Sequence, residues 1–210
     1  MSDLRRRLPR LRLRRGAASS APPRDWRPRI ASAVRALAEQ LAVLPEEGWS
    51  AQTLSPRPGG GRVEDVVADL ARRLSSPRLR LVLPARADAP ARDELLLRLR
   101  SAADRAGSGR GRHGLGELTA VVQACYDITV PLGLPDPVAP DASQAVARGR
   151  VALGSAELRA LLRGRSLVAD DAGWRIGSGP EIRGPAGVLV SWLCGRPVVP
   201  VFPPRGTGQA

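Results

Sequence analysis

Apolar residues recur through the first three quarters of the chain at the spacing of helices. Ile30, Val34, Leu37, Leu41 and Leu44 fall four, three, four and three residues apart. That rhythm lays one apolar stripe along a helix beginning near Trp26 and stopped by PEEGW (45–49). A loop with SPRPGGG (55–61) follows. Then RVEDVVADLARRL sets Val63, Val66, Val67, Leu70 and Leu74 on one side of a second helix. Its Glu64 and Asp65 favour the positive N-terminal end of the dipole, and Arg72 and Arg73 the other end. LRLVL (79–83) alternates and fits a brief strand or an extended linker equally well. ARDELLLRLRSAADRA predicts a third helix, stopped by GSGRGRHG, and GELTAVVQACYDI a fourth that buries Leu118, Val121, Val122, Cys125 and Ile128. PLGLPDPVAPD ends it, and DASQAVARGR and SAELRALLRG predict two shorter helices.

The texture changes after Arg165. SLVAD, DAGW, RIGSG and PEIRG read as two or three short strands joined by Gly-rich turns. PAGVLVSWLCG reads as a buried helix with Pro185 in its first turn and Gly195 past its end. The expected fold class is therefore mainly α, a helical bundle over 26–164 followed by a small αβ segment over 165–210. Residues 1–25, closing in the Ser/Ala/Pro linker GAASSAPPRD, are expected to be a disordered Arg-rich arm.

Composition changes this picture in two places. Every one of the 33 basic residues is arginine, which looks like coding bias and weakens any argument from a single arginine. Residues 1–35 hold eleven arginines against Asp3 and Asp25, nine of the thirteen net positive charges, so the basicity belongs to the arm. The arm suits phosphates or an anionic surface, but it has no aromatic residue for base stacking. A solvated tail is the plainer reading, and contact with nucleic acid or an acidic partner is the alternative. No apolar run approaches the roughly 18 residues of a membrane span. MSDLRRRLPRLRLRRG has no apolar segment followed by a cleavage site, so a cytoplasmic location is expected. Cys125 and Cys194 read as free buried thiols.

Three stretches, in order, carry a family resemblance. GWSAQT…RVEDVVADL resembles a Trp-containing loop and insert leading into V-x-D-V-V-A-H-L. AVVQACYDITVPLGLP resembles E-V-V-x-H-G-x-D-I-x-x-P-L-G-L-P. ADDAGWRIGSGPEIRGPAGVLVSWLCGRP is similar to D-x-x-W-x-x-G-x-G-P-E-V-x-G-P-A-x-x-L-L-x-x-L-x-G-R-P. These are patterns of the mycothiol-dependent maleylpyruvate isomerase family. The resemblance covers roughly residues 30–200 and implies a DinB-like four-helix bundle. It also implies two cofactors, mycothiol and a divalent metal such as zinc.

In that family the metal is held by a His on the second helix and by a Glu and a His one turn apart on a later helix. Carried over position by position, the first His falls on Asp69, the Glu on Ala120 and the second His on Ala124. A methyl group donates no lone pair, and one carboxylate alone is a weak cation site. His113, the one histidine, reads as solvated or capping, and Glu117 lies one turn before Ala120. Cys125 is about 100° around the helix from Ala124 and faces elsewhere. No bound metal is expected.

By the same resemblance Asp127 and Arg196 are the candidate catalytic residues, and Arg196 the cofactor-binding one. Their plainer roles are a side chain bonded to its own turn and a cation favouring a helix C-terminus. Trp49, Trp174 and Trp192 read as core and interface anchors. The expected function is a family protein that has lost its metal site and works as a catalytically degenerate binding module for a small thiol or other small molecule. An active mycothiol-dependent isomerase or transferase using Asp127 and Arg196 is the alternative.

Overall fold

The computed structural model describes residues 25–56, 61–75, 91–109 and 113–203. Nearly all of the Arg-rich arm, residues 57–60, the LRLVL segment, residues 110–112 and the end of the tail lie outside these. Each amphipathic stripe forms a helix: α1 (Arg27–Ala42), α3 (Val63–Ser75), α4 (Arg92–Gly107) and α5 (Leu115–Leu132). PEEGW does more than stop α1, because its last four residues wind into a single turn, α2 (Glu46–Trp49). Leu44 lies just beyond the end of α1 and packs against the core from there. These four stripe-bearing helices pack in a ring, with α1 against α4 and α5, and α3 against α4 and α5. Their shared interior takes Ile30, Leu37, Leu41, Leu70, Leu99 and Leu118, all almost fully buried.

α6 (Pro140–Leu153) and α7 (Ala156–Leu162) follow. α6 starts on Pro140, whose missing N–H has no intrahelical partner to lose. α7 is capped by Ser155, the residue before it, whose side chain accepts a hydrogen bond from the Leu158 N–H. The αβ segment comprises β1 (Ser166–Ala169), β2 (Arg175–Gly177), β3 (Glu181–Gly184) and α8 (Ala186–Leu193). The sheet order is β2-β1-β3, with β2 antiparallel and β3 parallel to β1. Gly177 and Glu181 are both opposite Ser166, so the chain passes beneath the start of β1 in three residues. Gly179 makes that crossing at φ +101, where a Cβ would lie 2.1 Å from the Gly164 carbonyl oxygen. DAGW forms no strand and lies across the β1–β2 connection.

α8 packs against α5 and α6. Pro185 is the residue just before the helix rather than part of its first turn. The Asp171 carboxylate accepts from the Ala186 N–H at 2.7 Å, an anion at the positive end of α8. Buried Trp174 donates from Nε1 to Ser143 Oγ on α6 at 3.0 Å, which ties the sheet to the bundle. Trp49 is buried in the bundle core beneath the Arg92 guanidinium, and Trp192 meets Phe202 edge to face. All three tryptophans are thus packing residues. The chain is mainly α, a four-helix bundle with a small αβ unit at its end. Among the described residues no helix is long and apolar enough to cross a membrane.

Candidate functional site

Two helical stripes face each other across the α3–α5 contact. On α3 they are Val66, Asp69, Leu70 and Arg73, and on α5 Ala120, Gln123, Ala124 and Asp127. Each set follows the i, i+3, i+4, i+7 spacing of one helix face, so each wall is two turns, about 10 Å, long. Between them lies a cavity of about 320 Å³, whose wall Ser55, Pro56 and Arg196 complete. That size is at the lower end of ligand sites, roughly 300–1,000 Å³. Small side chains at Ala120 and Ala124 leave the space open on the α5 side.

Arg196 comes from the turn after α8 and reaches Asp127 on α5. Its Nε donates to Asp127 Oδ1 and its Nη2 to Oδ2, both at 2.6 Å, a two-pronged ion pair. The side chains are 11% and 5% exposed, so the pair is almost dry. Beside the plainer readings of these residues, the structure shows a bond that joins them across 69 residues of sequence.

The backbone of Asp127 has a second task. Pro131 lies inside α5 and has no N–H to offer the carbonyl four residues earlier. That carbonyl, of Asp127, accepts instead from the Leu54 N–H at 3.0 Å. The bond holds the 51–56 segment over the cavity and places Ser55 and Pro56 in its wall. A bridge between Gln52 and Arg62 and the Val63 N–H bonded to the Ala51 carbonyl close the other side of this loop.

Asp69 lies on the cavity wall, but its carboxylate is engaged. Arg73 Nε donates to Oδ2 at 2.6 Å and Arg72 Nη2 lies 3.2 Å from Oδ1, the i+4 and i+3 partners on the same helix. The metal that the family resemblance implies therefore does not fit the residues present. Two of the three positions offer methyl groups, and the third offers a carboxylate already shared by two guanidinium groups. Among the described residues no group of three or more His, Cys, Asp or Glu side chains converges as a metal site.

The remaining candidates lie elsewhere. His113 is not a solvated residue: its Nδ1 lies 2.8 Å from Glu117 Oε2 and its side chain is 13% exposed. Glu117 is turned to this partner and is not part of the cavity wall. Cys125 is fully buried in the core, away from the lining. Both cysteines are free thiols. Burial pushes both up, strongly for Cys125; for Cys194 the Arg150 and Arg196 charges partly oppose the rise. Neither thiol is prepared as a nucleophile.

The cavity thus brings together Asp69, Ala120, Ala124, Asp127 and Arg196, and leaves out His113, Glu117 and Cys125. Sequence reasoning missed Arg73, Gln123 and Ser55. Continuing each helical stripe by one further turn from Asp69 and Ala120 finds Arg73 and Gln123, whereas Ser55 depends on the Leu54 bond.

No family model and no curated protein matches the chain. Among solved structures, it is similar to a histidine-to-alanine mutant of the mycothiol-dependent maleylpyruvate isomerase. The match covers 83% of this chain and 90% of that one, with a TM-score of 0.42 and 14% identity.

Proposed function

We propose that this chain is a small-molecule binding module on the helical scaffold of the maleylpyruvate isomerase family, with the family's metal-holding positions given up. One observation carries the reading. The three positions that the sequence motifs align with metal ligands converge on one cavity, and they bring two methyl groups and an ion-paired carboxylate. What is left is a hollow lined by apolar side chains and paired charges, suited to holding a molecule rather than to polarising one.

A thiol-dependent reaction finds little support in the same wall. A thiolate needs a nearby cation to depress its pKa. The Asp127 carboxylate already engages Arg196 at Nε and Nη2, and the Asp69 carboxylate engages Arg73. The residues therefore do not fit thiol activation, and no catalytic step is assigned to Asp127 or Arg196.

Elemental analysis of protein purified without chelator tests the reading. Metal well below one equivalent is expected. The triple substitution Asp69→His, Ala120→Glu, Ala124→His should bind one zinc ion per chain, because it returns three donors to one cavity. Stoichiometric zinc or nickel in the native protein would overturn the loss of the metal site.

A further inference from the structure

The charges that line the cavity are paired in place, and Arg72, outside the lining, shares the Asp69 carboxylate with Arg73. Among the described residues lining it are two arginines and two aspartates, and each arginine is engaged by an aspartate of the same wall. A carboxylate or phosphate entering the cavity meets guanidinium groups that already hold carboxylates. An ammonium meets carboxylates that already hold guanidinium groups. At the Asp127–Arg196 end, displacing either partner means separating charges that are 5% and 11% exposed, where water does little to screen them. Arg73 is half exposed, so competition there is milder.

An uncharged molecule faces none of this competition. Its apolar part can lie against Val66, Leu70 and the methyl groups of Ala120 and Ala124, all on the cavity wall. Its polar atoms meet the Gln123 amide and the Ser55 hydroxyl, which both donate and accept.

We infer that this cavity takes an uncharged, partly apolar ligand with amide or hydroxyl groups and discriminates against anions and cations alike. The inference rests on the reading of the cavity as a ligand site and adds the class of ligand.

Three probes of nearly one shape separate the charge states: benzamide, benzoate and benzamidine. Full-length protein labelled with ¹³C at alanine methyl groups is titrated with each, following Ala120 and Ala124, assigned through Ala120→Ser and Ala124→Ser. Benzamide should shift both methyl signals saturably, with a Kd at least about tenfold below those of the two charged probes. Asp69→Asn then uncovers Arg73 on the wall and Arg72 beside it. The ratio of benzoate to benzamide affinity should rise about fivefold, an effect the size of a half-exposed ion pair. Asp69→Asn/Arg73→Gln should remove the gain, and the unchanged alanine spectra outside the cavity verify the fold of each variant. Benzoate or benzamidine binding the native protein as tightly as benzamide would overturn the charge selection and leave the cavity as a binding site. No shift with any of the three would overturn both, whereas stoichiometric metal would overturn only the loss of the metal site.

Discussion

Consider removing one half of the Asp127–Arg196 pair. Asp127→Leu keeps roughly the volume of the side chain but leaves the Arg196 guanidinium in a wall where 11% of its side chain reaches solvent. Two unit charges about 4 Å apart interact by about 4 kcal/mol at an effective dielectric constant near 20. Two charge-assisted hydrogen bonds at 2.6 Å are lost with the carboxylate. Stranding one partner of a buried pair costs about 3–5 kcal/mol. For a chain of this size that lowers Tm by about 6–20 °C. Arg196→Met instead removes the guanidinium that both carboxylate oxygens accept from, and should also destabilise the chain. The double variant strands nothing, so it should be more stable than either single one. The Leu54 bond to the Asp127 carbonyl is main chain on both sides and survives every member of the set. Urea denaturation of the four proteins, analysed as a double-mutant cycle, provides the coupling energy. Single variants that each cost under about 1 kcal/mol, with costs that add, would refute the burial argument.

The two buried thiols predict an alkaline weakness. Burial raises the pKa of both in the folded state, so the unfolded chain loses its thiol protons first as pH rises. Their contribution is fully present below the unfolded thiol pKa of about 8.5 and falls above it by up to about 1.4 kcal/mol per pH unit per thiol. Cys125→Ala/Cys194→Ala should flatten denaturation midpoints measured between pH 8 and 10, and an unaltered slope counts against the assignment. At the sheet crossing, Gly179→Ala should cost at least about 2 kcal/mol, since its Cβ meets the Gly164 carbonyl oxygen. Gly133→Ala, at φ +62 with open space around the added carbon, should cost only about 1–2 kcal/mol. Equal losses for the two would show that the close approach at Gly179 is unimportant.

Apolar periodicity carried the helices well because long stripes such as Ile30–Leu41 and Val63–Leu74 commit most of their burial to one face. It failed where a short segment has too few residues to show a period, as at α2. The αβ unit was legible from its glycines, whereas the passage of the chain beneath β1 was not, because pairing order depends on which edges meet in space. At the site, the common cavity of Asp69, Ala120 and Ala124 follows from helical spacing once the two helices are neighbours. The Asp127–Arg196 pair joins residues 69 apart in sequence, and no local pattern announces it. The partners of His113 and Asp69 lie one turn away, where i, i+4 spacing could have identified them.

The proline in α5 has a bearing on how such a fold can change. The covering loop is fastened to the bundle through a peptide carbonyl made available by a ring that lacks a hydrogen, so the fastening uses no side-chain atom of position 127 and needs only a backbone N–H at position 54. A substitution at the cavity wall that removes a side-chain bond can therefore leave this main-chain bond in place. The cover is thus held by the main chain of the same residue whose side chain pairs with Arg196, two attachments that rest on different atoms.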